Sequence, residues 1–205
     1  MDKDITLKIL YRSWKTLMKM VEARKFIVEE KQKKMNFDEF KEKYEDKTIN
    51  EIFYKKDDNN KEIMRLYIEY FMDPKINAKH FDDFFDNMNK IEGKSSGIIV
   101  VLANLTPQAN KKLIELNIKK PIQCFNINEL MINVTEHADV PKHILIDEKE
   151  KKSLLEKYRI KESQLPKILI NDPVAKFYGL RKGDVVKIIR NSENAGKYVT
   201  YRVTI

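Results

Sequence analysis

Over residues 5–26, apolar and polar positions recur with a helical period. Leu10, Trp14, Leu17 and Val21 fall on one face, and Lys8, Arg12, Lys15 and Lys19 on the opposite one. This predicts an amphipathic helix. Asn36-Phe37-Asp38-Glu39 has the form of a capping box, in which a side chain at each end satisfies the other's backbone N–H, and predicts a short helix over 37–45. The period then shortens to two. Residues 52–54 and 64–70 read as the strands of a hairpin across Asp57-Asp58-Asn59-Asn60, with Met64, Leu66, Ile68 and Tyr70 alternating onto one face. Asn77 is placed to cap a helix that buries Phe81, Phe84, Phe85 and Met88.

Residues 97–103 (Gly-Ile-Ile-Val-Val-Leu-Ala) form an unbroken apolar run of strand length, the pattern of a strand covered on both faces. Thr106 then takes the N-cap and Pro107 the N1 position of a helix that Pro121 closes. A short apolar strand follows at 122–125. Strand, helix and strand in that order predict a βαβ unit.

The pattern changes after Thr135. Asp147 and Glu150 open a helix over 147–158, and Asp172-Pro173 opens a short one that Gly179 ends. The β-rich runs 185–190 and 198–203 read as a hairpin around Ser192-Glu193-Asn194-Ala195-Gly196. Val185, Ile188 and Val199 in these runs are expected to be largely buried. No internal repeat or long linker is visible, so a boundary at 135–141 divides the chain into 1–135 and 136–205.

Composition narrows the function classes. The 205 residues include 42% hydrophobic and 35% charged, enough for a packed core beneath a densely charged surface. The net charge of +8 suits nucleic acid or an acidic protein surface without choosing between them. Residues 1–135 hold 25 Lys+Arg against 22 Asp+Glu and residues 136–205 hold 15 against 10, so the excess is +3 and then +5. Cys124 is the single cysteine, which excludes an internal disulfide and fits a reducing compartment. One cysteine and three scattered histidines do not make a structural zinc site, and no metal or cofactor is expected. No apolar run approaches the roughly eighteen residues of a membrane span, and no signal run follows the N-terminus.

The last third carries a long series of specific residues. It holds Thr135-Glu136-His137, Val140-Pro141-Lys142-His143, Gln164-Leu165-Pro166-Lys167-Ile168 and Asp172-Pro173-Val174-Ala175-Lys176-Phe177-Tyr178-Gly179. Gly183-Asp184-Val185-Val186-Lys187-Ile188-Ile189-Arg190 follows, then Ser192-Glu193, Ala195-Gly196 and Tyr201-Arg202. In order and spacing this string resembles the C-terminal domain of the fifth shared subunit of eukaryotic RNA polymerases, whose archaeal counterpart consists of little more than this domain. Leu10-Tyr11-Arg12-Ser13-Trp14-Lys15-Thr16-Leu17-Met18 looks like that family's opening helix, and 98–103 with Thr106-Pro107-Gln108-Ala109 like its strand and threonine-proline motif. Asn191 and Asn194 stand where the family usually has proline and threonine.

The resemblance implies an α/β and α+β protein. Its N-terminal part would be a restriction-endonuclease-like jaw domain with a mixed sheet, and its C-terminal part a small α+β assembly domain. The role implied is non-catalytic. The C-terminal domain would dock on the largest polymerase subunit, and the jaw would flank downstream duplex DNA. The subunit would be shared by nuclear polymerases I, II and III, in the nucleus including the nucleolus, or in the cytoplasm if virus-encoded. No membrane partner is implied.

On this reading Thr106, Pro107, Gln108 and Lys111 are the DNA-proximal candidates. A helix N-terminus presents unpaired amides and a favourable dipole to a phosphate, a contact that positions duplex without reading bases. An ordinary N-cap has the same appearance. The subunit-interface candidates are His137, Pro141, Pro166, Asp172, Pro173, Tyr178, Arg190, Tyr201 and Arg202. The stripe of Lys8, Arg12, Lys15 and Lys19 reads as a solvated helix face. Gly179-Leu180-Arg181-Lys182-Gly183-Asp184 precedes a strand and reads as a turn rather than a phosphate loop. Two rivals remain. One is a small metal-dependent nuclease using Asp73, Glu92 and Lys94, residues expected not to converge. The other is a free-standing nucleic-acid-binding protein.

Overall fold

The computed structural model describes residues 3–45, 48–56, 63–192 and 196–205. Helix α1 spans Lys3–Ala23 and buries Leu7, Leu10, Trp14, Leu17 and Val21, as the pattern requires. It stops short of residue 26. Lys25 adopts φ +65°, its N–H bonds to the Glu22 carbonyl, and the Phe26 N–H bonds to that of Val21. This is the paired closure of a Schellman motif, made with lysine where glycine is usual, so no glycine announces the stop. A five-residue helix α2, Glu30–Lys34, was not legible in the apolar pattern because none of its residues is buried. Helix α3, Phe37–Tyr44, has the expected capping box: Asn36 Oδ1 accepts from the Glu39 N–H at 2.9 Å and Glu39 Oε2 from the Asn36 N–H at 3.0 Å. It sets Phe40 and Tyr44 against the Trp14 ring, with centroids 6.1 and 5.6 Å away.

Strands β1, Asn50–Lys56, and β2, Ile63–Phe71, pair antiparallel with Phe53 opposite Leu66. The expected turn at Asp57-Asp58-Asn59-Asn60 lies outside the described residues. In β2 the one-sided alternation is only half of the arrangement. Leu66, Ile68 and Tyr70 are buried as expected, but Tyr67 and Phe71 on the other face are buried too. The reason is position: β2 is an inner strand of a sheet ordered β1-β2-β3-β4. On one face Tyr70 donates its hydroxyl to Ser13 Oγ at 3.3 Å, since Ser13 gives its own proton to the Leu10 carbonyl at 2.8 Å. The other face is covered by α4, Ala78–Asn89, which buries Phe81, Phe84 and Met88 and partly buries Phe85.

Strand β3, Lys94–Val101, starts three residues earlier than the apolar run, because its first turn of ladder is polar. Helix α5, Pro107–Lys119, and β4, Ile122–Asn126, complete the unit. The predicted βαβ is present, with β3 parallel to β4, and β2 is also parallel to β3. Gly97 lets α4 lie close on β3: a Cβ there would stand 2.7 Å from a Phe84 ring carbon.

The backbone divides into two compact units, Met1–Ile132 and Asn133–Ile205. The second contains β5 (Lys142–Leu145), α6 (Glu148–Tyr158), β6 (Lys167–Ile168), α7 (Pro173–Tyr178), β7 (Val185–Ser192) and β8 (Gly196–Thr204). Its sheet is ordered β5-β7-β8-β6. Strands β7 and β8 form the expected hairpin, and residues 193–195 of its turn lie outside the described residues. Strands β5 and β6 were not predicted, being four and two residues long. Each face of the sheet has its own core. Val185 and Val203 pack with Leu154 of α6, Ile146 and Leu165, while Val186 and Ile188 pack with Ala175 of α7, Ile168 and Leu180. Val199 departs from expectation. It is 40% exposed, because the hairpin runs on beyond the helices that cover its base.

Candidate functional site

The DNA-proximal candidates lie in the first unit and the subunit-interface candidates in the second. In the first, Thr106 caps α5 as expected, its Oγ1 accepting from the Ala109 N–H at 3.2 Å. The same hydroxyl donates to the Ile76 carbonyl at 3.4 Å, so it is engaged within the chain rather than turned to solvent. Pro107 brings no N–H, and the Asn110 N–H goes to the Thr106 carbonyl. The Gln108 N–H is what the first turn has left to offer, beside the exposed Gln108 and Lys111 side chains. Lys112 holds Asp82 of α4 at 2.8 Å and serves the packing of the two helices. The stripe on α1 is exposed at Lys8, Arg12, Lys15 and Lys19, with Lys15 Nζ over the Tyr11 ring at 5.4 Å.

The nuclease trio does not assemble. Asp73 follows the C-terminal end of β2, whereas Glu92 and Lys94 stand at the N-terminal end of β3. Met64 aligns with Lys94 and Phe71 with Val101. About seven residues of parallel strand, roughly 23 Å, therefore lie between them. Asp73 instead contacts His80 Nε2 at 3.2 Å, while His80 Nδ1 accepts from the Asn77 N–H at 3.1 Å. Nearby, Tyr67 donates to Glu69 Oε2 at 2.8 Å. Burial raises the Glu69 carboxyl above its ordinary range, the Tyr67 hydrogen bond opposes this, Asp83 reinforces it and His80 opposes it. Sequence reasoning missed this polar group, since its members come from a strand and from a helix that only packing brings together. Among the described residues, no group of three or more His, Cys, Asp or Glu is placed to hold a metal ion.

In the second unit, most of the interface candidates converge on one face of the sheet. The parity of the ladder puts His143, Ile188, Arg190 and Arg202 on the face that α7 covers. His143 Nδ1 donates to the Pro141 carbonyl at 2.7 Å. Burial, first, depresses the His143 imidazole below its ordinary value. The Pro141 carbonyl and Asp172 oppose that, and Arg190 and Arg202 reinforce it. Asp172 caps α7 through Oδ1, which accepts from Val174 N–H at 2.8 Å and Ala175 N–H at 3.4 Å, and Pro173 takes N1. Gly179 ends the helix at φ +65°. Tyr178 is half-buried against the Ile188 core, and burial raises its hydroxyl pKa. Arg202 Nη1 donates to the Lys167 carbonyl at 3.4 Å.

Three candidates stand apart. Tyr201 follows the other parity and packs with the α6 core, so Tyr201 and Arg202 cannot serve one surface. Pro166 is exposed beside β6, its carbonyl accepting from the Val203 N–H at 2.8 Å. His137 is exposed and its Nδ1 accepts from the Asp139 N–H at 3.3 Å. The segment 179–184 is the expected turn: the Arg181 N–H reaches Asp184 Oδ2 at 2.7 Å, with Gly183 at φ +92°. Lys151, which no motif marked, ties this turn to α6 by donating to the Gly183 carbonyl at 2.8 Å while pairing with Glu162 at 2.9 Å.

Comparison with known proteins matches both parts of the chain. Residues 132–204 fit the family model described as RNA polymerase Rpb5, C-terminal domain, and residues 5–88 the one described as RNA polymerase Rpb5, N-terminal domain. The chain belongs to the Rpb5 family of RNA polymerase subunits. Its similarity to a Dictyostelium discoideum protein named DNA-directed RNA polymerases I, II, and III subunit rpabc1 is 39% identity over 193 residues, 93% of this chain and 94% of the relative. The correspondingly named RPABC1 proteins of Caenorhabditis briggsae and Caenorhabditis elegans are each 35% identical over 210 residues, covering all of this chain and 99% of the relative. Every subunit-interface candidate falls inside the Rpb5 C-terminal match. Thr106, Pro107, Gln108 and Lys111 fall between the two Rpb5 matches, so only the full-length relatives span them.

Proposed function

We propose that this chain is a non-catalytic subunit shared by nuclear RNA polymerases I, II and III. The observation that carries the reading is likeness along the whole chain to relatives bearing that name, with both Rpb5 domains matched in order. It is an accessory subunit: the polymerising chemistry belongs to other chains, and its partners are other polymerase subunits. Its place is the nucleus, including the nucleolus where polymerase I works.

The second unit, 136–205 in the division read from sequence, anchors on the largest polymerase subunit. What supports this face is the placing of His143, Arg190 and Arg202 on the side of the sheet that α7 covers, with Pro141 accepting from His143 and Asp172 capping α7. The first unit, 1–135, forms part of the jaw around downstream duplex DNA. Support for a restriction-endonuclease-like topology is its mixed sheet, an antiparallel hairpin continued by two parallel strands, with a helix before the first strand and a crossover before the last. The DNA contact is to backbone, through Gln108, Lys111 and the start of α5, and it is independent of base sequence.

Affinity purification of the tagged full chain from its native cells tests the reading. The expected result is recovery of the large subunits of all three polymerases in comparable yield. Recovery of the chain alone would mean a free-standing protein, and magnesium-dependent cleavage of DNA by the purified chain would mean an enzyme.

A further inference from the structure

The β7–β8 hairpin is longer than the sheet that supports it. Its ladder runs from Val185 opposite Val203 to Ser192 opposite Gly196. Strand β5 accompanies only Val186, Lys187, Ile188 and Ile189, and β6 accompanies only Val203 and Thr204. Among the described residues, then, no strand lies beside β8 from Gly196 to Arg202 on the side away from β7.

The pairing parity identifies the groups on that open edge. The Thr204 N–H crosses to the Asp184 carbonyl at 2.8 Å, and the even-numbered residues of β8 face β7 in the same way. The Val203 and Ile205 N–H groups go outward, to the carbonyls of Pro166 at 2.8 Å and Ile168 at 3.0 Å. Lys197, Val199 and Tyr201 share the parity of Val203. Their N–H and C=O groups therefore point out of the sheet in one row, continuing the line that β6 occupies. A two-stranded ribbon is marginal on its own, and an open edge is a template for another strand. The arm also holds Tyr198 56% exposed and Val199 40% exposed, large side chains with little cover.

Charge selects among strands. Lys187, Arg190, Lys197 and Arg202 lie on the hairpin, and Glu193 is its single acidic residue. Lys187 has Glu150 of α6 at 4.0 Å, which leaves the distal arm, with Arg190 and Lys197, electropositive. A second copy of this chain would bring the same positive charges to the edge and be repelled. An acidic strand would be attracted.

We propose that the outer edge of β8, at Lys197, Val199 and Tyr201, takes up an extended acidic segment of another polymerase subunit as an added strand. The proposal rests on the reading that this chain is a polymerase subunit anchored through its second unit. It adds the mode of docking, main-chain pairing with charge selection, which the side-chain patch beside α7 does not supply.

Amide hydrogen exchange resolved to single residues tests it, on the free full chain and on polymerase purified through the tagged chain. In the free chain the Val199 and Tyr201 amides should exchange fast and those of Thr200 and Arg202 slowly. In the polymerase the outward amides should slow by about tenfold or more. A variant pair adds a second readout. Val199→Pro removes an outward N–H without touching a bond to β7, and should cut recovery of the other subunits by about tenfold. Val199→Ala keeps that N–H and should recover them as wild type does. Outward amides as open in the polymerase as in the free chain overturn the added strand and leave the subunit reading intact. A wild-type chain that brings no polymerase subunits overturns both. Should Val199→Pro unfold the hairpin, seen as fast exchange at Thr200, the wild-type comparison decides alone.

Discussion

Replacing Ile188 by alanine probes the core on which the second unit depends. Ile188 is 2% exposed, between the α7 face of the sheet and Ala175, Leu180, Val186 and Ile168. The substitution deletes three carbons, which at about 0.8 kcal/mol each amounts to about 2.4 kcal/mol of lost transfer free energy. A cavity that keeps about 80 Å³ open adds about 2 kcal/mol more, at about 24 cal/mol per Å³. The expected loss therefore lies between about 2.4 and about 4.4 kcal/mol, the lower value if α7 relaxes inward. Val199, further out on the same hairpin and 40% exposed, is the internal control. Its alanine variant should lose less than about 0.5 kcal/mol. Urea titration of the full chain followed by far-ultraviolet circular dichroism measures both. Trp14 is the single tryptophan and lies in α1 of the first unit, so its fluorescence reports on that unit alone. If the units unfold independently, Ile188→Ala shifts the dichroism transition and leaves the fluorescence midpoint in place. A loss near zero would refute the burial argument. An equal shift in both signals would refute the independence of the units.

Three further outcomes are expected. Gly97→Ala brings a Cβ to 2.7 and 2.8 Å from Phe84 ring carbons and 3.2 Å from Met88 Sδ, so α4 must give way. It should cost about 1–3 kcal/mol in the Trp14 fluorescence transition, and an unchanged midpoint would mean that α4 is free to move. His143 has a folded pKa depressed by burial below its ordinary 6.5, so the unfolded chain takes up the proton first. Its contribution to stability is present above that value and is lost as pH falls through about 6.5 and below; His143→Gln should flatten that part of the urea midpoint's pH dependence. Changing both Thr106 and Gln108 to Asp keeps a good N-cap while placing negative charge at the start of α5. The assembled polymerase should then hold downstream duplex less firmly at low salt, with the defect easing as salt rises. Normal elongation-complex lifetime at low salt would reduce this helix end to an ordinary cap.

Local signals sufficed wherever a few neighbouring residues carry the whole physical reason for a structure. The capping box at Asn36 and Glu39, the Thr106-Pro107 helix start, the Asp172-Pro173 start with its Gly179 stop, and the βαβ order around α5 are all of this kind. A side chain satisfying an amide two or three residues away needs nothing from the rest of the fold. The series of motifs from Thr135 onward marked the family for a related reason: many specific residues in fixed order are themselves local information. Other features depended on what lies across the sheet. Tyr67 and Phe71 look like the solvent face of a strand until β3 and α4 cover them, because burial is a property of the neighbours. Tyr201 and Arg202 look like one site in sequence, yet strand parity sends them to opposite faces of the sheet. Val199 has the composition of a core residue and is left exposed, since neither α6 nor α7 reaches the end of the hairpin. The placing of His143, Asp172, Arg190 and Arg202 on one side of the sheet joins four segments that only the β5–β7–β8 register and the seat of α7 bring together. Long-range pairing of that sort is chosen by the total packing free energy of the unit, to which no short stretch of chain has access.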